Sequence, residues 1–254
     1  MVLFSCTTPS KKLFEVHEDL GKKFENKLNY TQEFNPYTYR NFYNGGGVAL
    51  GDINNDGLLD IYLSGNLVDN KLLLNKGDWK FKDITEKAGV SCKGVWSTGV
   101  TFADVNGDGL LDLYVCKSGK PGGDNRHNEL FINQGNLTFK EESKSYGLDV
   151  LGLSVHAAFF DADLDGDLDC YVLNNSLRSV GGYDLIKDQR YTPDPNNEGN
   201  KFFENQNGVF IDKSTEKGIL TSTIGFGLGI TLSDFNNDRP VSYTHLTLPT
   251  NREV

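Results

Sequence analysis

A nine-residue acidic motif is repeated along this sequence and constrains the fold more than any other feature. Its pattern is D-x-[DN]-x-D-G-x-x-D, and complete copies begin at Asp52, Asp104 and Asp161. A fourth copy begins at Asp234 but carries Arg239 where the glycine should stand. Successive copies start 52, 57 and 73 residues apart, and self-similarity at such a period is typical of repeat architectures. The chain is therefore expected to fold as a series of similar units.

The oxygen-bearing side chains of this motif predict a metal site in each complete copy. Side chains at positions 1, 3 and 5 converge when the backbone curls around a point, and a hard divalent cation prefers about six to eight oxygen ligands. Glycine at position 6 permits the sharp turn, position 7 offers a backbone carbonyl, and position 9 offers a carboxylate. We expect calcium at about three sites; ordinary solvated turns are the alternative. The predicted ligands are Asp52, Asn54, Asp56, Leu58, Asp60, Asp104, Asn106, Asp108, Leu110, Asp112, Asp161, Asp163, Asp165, Asp167 and Asp169.

The residues that follow each motif distinguish it from an EF-hand. An EF-hand requires Glu at position 12 and a helix on each side, whereas position 12 is here Leu63, Val115 or Val172. These residues end runs such as Asp-Ile-Tyr-Leu at 60–63, which are rich in β-branched and aromatic residues and typical of strands. The motifs are therefore predicted to be strand-loop-strand sites.

The segments between the motifs also repeat, and they predict four strands per unit. One further strand begins near Asn70, Asn128 or Asn200, and another leads into a glycine over 81–89, 139–147 and 210–218. The strand before each motif carries small residues, as the crowded innermost strand of a radial array requires. The predicted fold is all-β, a partial β-propeller of four-stranded blades, with about three blades and the start of a fourth.

A propeller needs about four to eight blades to close, so the chain is expected to form an open arc. We expect unpaired backbone and apolar surface at its two ends, which are the strand near 224–233 and the face of the first blade that should meet a last blade.

His156 stands at the axial position where the other units carry Gly47, Gly99 or Gly229. Its side chain is expected either to point into the central channel or to fit a larger blade junction for which Ala157 and Ala158 make room. The second alternative is favoured.

Two insertions interrupt the repeat, at 117–127 and 174–200. Long loops on a rigid scaffold are common places for binding groups. A surface flap held by Tyr183 and Tyr191 is the alternative for the longer one.

The N-terminal residues predict a bacterial lipoprotein at the cell envelope or outer surface. Leu3-Phe4-Ser5-Cys6 resembles a lipobox, in which the cysteine is acylated, and the polar residues up to position 12 resemble a tether. A chance cysteine is the alternative. Residues 13–21 match the spacing of 81–89 and are expected to form an outer strand, which residues 22–46 connect to the first blade.

The C-terminal residues do not follow the repeat. Residues 241–250 resemble the translation of a common transposase-type sequencing adapter. We therefore assign the incomplete propeller to 13–239 and expect 240–254 to be an artefact that packs poorly against the rest.

Composition argues against nucleic acid as a partner, against a membrane-spanning segment and against a cysteine-based metal site. The net charge is −10, and three divalent cations would offset six of these charges. The sequence has no basic stripe to meet phosphates, so nucleic acid is not an expected partner. No segment is long and apolar enough to span a membrane, so a lipid at Cys6 would be the membrane contact. The four cysteines form no C-x-x-C pair and predict neither a zinc site nor a disulfide framework.

The motifs and the strands around them resemble the FG-GAP/VCBS repeats of integrin-α-type propellers, over about residues 13–239. The run Asn44-Gly-Gly-Gly-Val-Ala-Leu-Gly-Asp52 with Ile84-Thr-Glu-Lys-Ala-Gly89 is similar to bacterial proteins that also carry an ASPIC/UnbV domain. The resemblance implies calcium at the three complete loops and activities from adhesion to carbohydrate binding, with some enzymes. Asp234, Asn236 and Asp238 match only the first half of the motif.

Two functions remain open from the sequence. The first is a surface-anchored, calcium-binding module for a protein or polysaccharide ligand. The second is a fragment of a polysaccharide lyase or hydrolase that uses Lys187, Arg190, Tyr191 or His156. Catalysis requires paired acid, base or nucleophile groups, and the four histidines (His17, His127, His156 and His245) are scattered. Binding is therefore favoured.

Overall fold

A computed structural model describes residues 14, 16, 23–119, 125–176, 199–219, 221–222 and 225–233, together with the backbone of 242–247. The first blade contains β1 (Val48–Gly51), β2 (Asp60–Leu63), β3 (Lys71–Asn75), β4 (Phe81–Asp83) and the one-turn helix α1 (Thr85–Ala88). The second contains β5 (Ser97–Ala103), β6 (Asp112–Lys117), β7 (Glu129–Asn133), β8 (Phe139–Glu141) and the one-turn helix α2 (Ser143–Tyr146). The third contains β9 (Leu153–Phe160), β10 (Asp169–Asn175), β11 (Lys201–Gln206) and β12 (Val209–Asp212).

Each blade is a four-stranded antiparallel sheet whose strands follow one another in chain order. The register at the acidic motif is the same in all three, because Gly51 pairs with Asp60, Ala103 with Asp112, and Phe160 with Asp169. Each motif thus links the two inner strands of a blade. The predicted all-β fold of partial propeller blades is confirmed.

The innermost strands approach one another closely at the predicted small residues. A Cβ atom on Gly47 would lie 2.6 Å from the Thr98 carbonyl oxygen, and one on Gly99 would lie 2.4 Å from the Val155 carbonyl oxygen. No side chain fits such distances without a shift of backbone, so glycine is required at these two positions, where the inner strands of the first and second and of the second and third blades meet.

The core consists of the contacts between blade faces. Tyr62, Leu72 and Leu74 of the first blade form one buried cluster that includes Val100 and Val115 of the second. The second blade repeats this arrangement toward the third in a cluster that includes the free cysteines Cys116 and Cys170. Burial of a large apolar side chain contributes about 1.5–3 kcal/mol, so these contacts hold the blades together.

The opposite face of the first blade is open. Val48 and Leu50 are 63% and 58% exposed, whereas Val100 and Ala157, at the position of Val48 in the next blades, are 4% and 0% exposed. The described structure therefore contains the apolar end face that the sequence predicts for an open arc.

The predicted outer strands are shorter than expected. The strand predicted over 81–89 ends at Asp83, and the chain turns through α1 to Gly89, whose φ of 77° is left-handed. The second blade repeats this with α2 and Gly147, and in the third β12 ends at Asp212 before turns. The prediction of strand up to these glycines is wrong, because a side chain at the end of each strand starts a turn, as described below.

The expected unpaired edge near 224–233 is also absent from the described structure. In that range, β13 (Gly227–Ser233) pairs with β14 (Ser242–Thr247), and Ser233 faces Ser242 in the register of Gly51 and Asp60. The backbone of 242–247 thus takes the place of a second blade strand. Its pairing does not test whether these residues come from an adapter, which stays a prediction.

An aromatic segment, residues 23–46, crosses the ends of the blades before β1. Tyr39 and Phe42 are buried together with Trp96 and Leu153, which precede or begin the inner strands of the second and third blades. The Tyr39 hydroxyl lies 2.7 Å from Ser118 Oγ. The segment therefore does more than connect, since it packs against several blades at the end remote from the acidic motifs. No helix in the described ranges is long and apolar enough to cross a membrane.

Candidate metal loops

The first aspartate of each motif holds the loop in its curled form. Asp52 accepts hydrogen bonds from the backbone N–H groups of Asp56 (3.1 Å) and Gly57 (2.7 Å). Asp104 repeats both contacts, and Asp161 Oδ2 accepts the Gly166 N–H at 3.2 Å. The glycines at position 6 have φ values of 83°, 85° and 99°, where a Cβ atom causes strain. The fourth copy has Arg239 at this position, but it lies outside the described residues.

The last aspartate of each motif is buried and fastens the loop to the third strand of its blade. Asp60 accepts the N–H of Ile53 at 3.1 Å and the N–H of Asn75 at 2.7 Å, one on each carboxylate oxygen. Asp112 and Asp169 make the same pair of contacts. Burial raises the pKa of all three, for Asp112 to about 6, although the backbone hydrogen bonds act against the shift.

Asparagines at or next to the end of the third strand complete this attachment, and the motif pattern assigns them no role. The side-chain Nδ2 atoms of Asn75, Asn133 and Asn205 donate to the carbonyls of the residue before the last aspartate, at 2.9, 3.1 and 3.3 Å. Asn133 also donates to the Ile53 carbonyl of the first blade at 2.8 Å. Each stands five residues after the asparagine near which the third strand begins (Asn70, Asn128 or Asn200), and this constant spacing was the available signal.

The third loop brings three predicted ligands together. Asp161, Asp163 and Asp165 each place one carboxylate oxygen within 4.8 Å of the others. Asp161 Oδ1 is buried and has no hydrogen-bond partner among the described residues. A buried oxygen without a hydrogen-bond donor is suited to coordinate a cation.

The first loop also has a buried oxygen without a hydrogen-bond partner, whereas in the second loop the equivalent oxygen has one. Asn54 Oδ1 is buried and lacks a partner in the described structure. The equivalent atom of Asn106 instead accepts the Asp108 N–H at 3.0 Å. In both loops the asparagine Nδ2 donates to the position-5 carboxylate at 3.0 Å. Hard oxygen donors are the set that calcium prefers, so the residues present fit this ion.

Position 7 adds a further carboxylate in the third loop. Partial burial and the neighbouring carboxylates of Asp165 and Asp169 raise the pKa of Asp167 to about 6. The sequence predicts its backbone carbonyl as a ligand, and the side chain adds to the negative charge of the loop.

Comparison with known proteins agrees with this repeated geometry. Residues 52–115 match the FG-GAP-like repeat. The chain is also 28% identical over 204 residues to cartilage acidic protein 1 of Xenopus tropicalis. The match covers 78% of this chain and 28% of that protein, so the chain spans under a third of its relative. The predicted likeness to proteins with an ASPIC/UnbV domain stays a prediction.

Several predicted site residues cannot be placed. Cys6, the partial fourth motif at 234–238, and Lys187, Arg190 and Tyr191 lie outside the described residues. His156 is described and lies at the axis, where its ring makes no hydrogen bond among the described residues. Gly99 makes room for it, since a Cβ there would lie 2.9 Å from His156 Cδ2. The room expected from Ala157 and Ala158 stays a prediction.

Proposed function

We propose that this chain is part of a calcium-binding propeller module that binds a protein or polysaccharide ligand at the bacterial cell surface, to which a lipid at Cys6 anchors it. The FG-GAP-like repeat is typical of propeller modules of the adhesion and binding type. The observation that carries the proposal is the group of Asp161, Asp163 and Asp165 with its buried, unpartnered oxygen.

The roles of the loop residues follow from their contacts. Asp161 and Asp165 orient the loop through backbone N–H groups and keep further oxygen lone pairs for a cation. Asp169 ties the loop to β11 through the Asn205 N–H. Bound calcium would supply the positive charge that offsets the repulsion between these carboxylates. A loop fixed in this way holds the inner strands in register and gives the ligand-binding surface a rigid base.

Calcium titration of the 254-residue chain by calorimetry tests the metal assignment. We expect about three sites, and one fewer in each of Asp56→Ala, Asp108→Ala and Asp165→Ala, because each variant removes a central ligand of one loop. The third loop should bind most tightly, since it has four ligand carboxylates where the other two have three.

Asp69→Ala is the matched control, because Asp69 is an exposed aspartate outside the motifs. It should leave the stoichiometry unchanged. An unchanged stoichiometry in all three loop variants would remove the calcium assignment and leave the motifs as turns.

A further inference from the structure

A small cavity lies at the axis, at the end of the inner strands remote from the acidic loops. Its volume is about 170 Å³. The aromatic segment 23–46 contributes Tyr39, Asn41 and Asn44, and the starts of β5 and β9 contribute Gly99 and His156. A single water needs about 10–15 Å³ of such volume, so the cavity has room for a small polar ligand.

His156 makes this cavity different from the axial contact between the first and second blades. Where those blades meet, Gly47 lies against Gly99, whereas the third blade places an imidazole over Gly99. Nδ1 of the ring is buried without a partner, and no hydrogen bond to the ring is found in the described part of the chain. Buried polar atoms normally have partners, so the ring is a group that a ligand could satisfy.

The lining carries no formal charge. Its polar side chains are amides, hydroxyls and one imidazole, and Val155 and Leu228 supply an apolar wall. Burial lowers the pKa of His156, so the ring is neutral at pH 7. An anionic or cationic ligand would therefore lose its hydration without gaining a counter-charge.

Two groups in the cavity lining have hydrogen-bonding capacity that no described contact uses. The Tyr39 hydroxyl is already bonded to Ser118 and to the Gly119 N–H. The Asn44 amide and the His156 ring both line the cavity, and neither has a side-chain hydrogen bond among the described contacts. Amide and imidazole groups both donate and accept, which suits a ligand with several hydroxyl groups.

We propose that the axial cavity binds one neutral saccharide unit, with His156 and Asn44 bonded to its hydroxyl groups and Val155 and Leu228 against its C–H face. The inference rests on the proposed binding function and narrows the ligand to a glycan with an uncharged sugar. The site is separate from the calcium loops, which lie at the other end of the inner strands.

The test is NMR of the calcium-loaded chain with ¹⁵N-labelled histidine. The neutral probes are N-acetylglucosamine, methyl α-glucopyranoside and methyl β-galactopyranoside, and the charged probes are glucuronic acid and glucosamine. At least one neutral sugar should shift the His156 ring signals in a saturable manner, and the charged sugars should bind at least about ten-fold more weakly.

His156→Gly restores the residue that the other repeats carry, so it should fold and keep its calcium stoichiometry while sugar binding falls at least about ten-fold. His127→Ala is the control, because His127 is exposed and its Nδ1 lies 2.9 Å from the Asp149 carbonyl oxygen. Neutral sugars that leave the His156 signals unmoved, or binding that survives in His156→Gly, would overturn the inference. Calcium stoichiometry is measured separately, so its failure would count against the proposed function alone.

Discussion

Each acidic loop concentrates carboxylates that repel one another when no cation is present. The effect is greatest in the third loop, where Asp161, Asp163 and Asp165 converge and the pKa of Asp167 rises to about 6. An aspartate in the unfolded chain titrates near about 3.9. A carboxyl group whose pKa is higher in the folded chain than in the unfolded chain favours the folded state at pH values below its unfolded pKa. This contribution to stability is lost as the pH rises through its folded pKa.

Asp167→Asn should therefore stabilise the calcium-free chain in a pH-dependent way. In a chelator, its melting temperature relative to the unmodified chain should rise between about pH 4 and pH 6, because in this window Asp167 ionises more readily in the unfolded chain than in the folded one. Asp69→Asn should show no such trend, since Asp69 lies outside the motifs. Parallel pH profiles for Asp167→Asn and the unmodified chain would contradict the prediction, and thermal unfolding followed by circular dichroism provides the measurement.

The motif alone predicts which loop residues are ligands, and this stays a prediction. It does not predict the hydrogen bonds that its last aspartate makes. Asp60 is predicted as a ligand from its position, and in the structure both of its oxygens also accept backbone N–H groups. One of these donors is Asn75, which lies on a different strand. A contact between strands depends on blade register, which the motif spacing does not contain.

At the level of elements, the number of strands follows from the repeat, whereas the length of the outer strands depends on one turn-forming hydrogen bond. Asp83 Oδ1 accepts the Thr85 N–H at 3.0 Å, and Glu141 and Asp212 make the same contact in the other blades. This contact turns the chain out of the strand. The segment after it forms a single helical turn in the first two blades and turns in the third, too short for helical periodicity to show in the sequence.

Thr85 connects this turn to the sheet. It is buried, and its Oγ1 accepts the Leu72 N–H of β3 at 2.9 Å. Thr85→Val keeps the shape but leaves that N–H without an acceptor, so it should cost about 1–3 kcal/mol of unfolding free energy. Urea denaturation with calcium present provides the measurement.

Thr215→Val is the matched control, because Thr215 is exposed in the corresponding turn of the third blade. It should change the stability little. Equal effects of the two substitutions would show that the hydroxyl of Thr85 has no special role in joining the turn to β3.

At the level of the whole molecule, every blade presents one apolar face to the blade before it and another to the blade after it. The second face of the third blade packs against β13. Ile230 and Leu232 of β13 pack against the buried cluster that includes Tyr171 and Leu173. Among the described residues, the first blade has no neighbour of this kind on the side of Val48 and Leu50. Exposed apolar surface that is buried at equivalent positions elsewhere is a strong candidate for association.

The chain should therefore associate through this face as its concentration rises, and Val48→Thr with Leu50→Lys should reduce the association. Val209→Thr with Ile211→Lys is the matched control, because these residues are 43% and 40% exposed at alternating positions of β12. Sedimentation velocity over a concentration series provides the measurement. If association requires the open face, the first double variant stays monomeric at concentrations where the control still associates. A chain that is monomeric throughout would show that the exposed side chains of β1 are tolerated without a partner, and equal association of both variants would place the contact elsewhere.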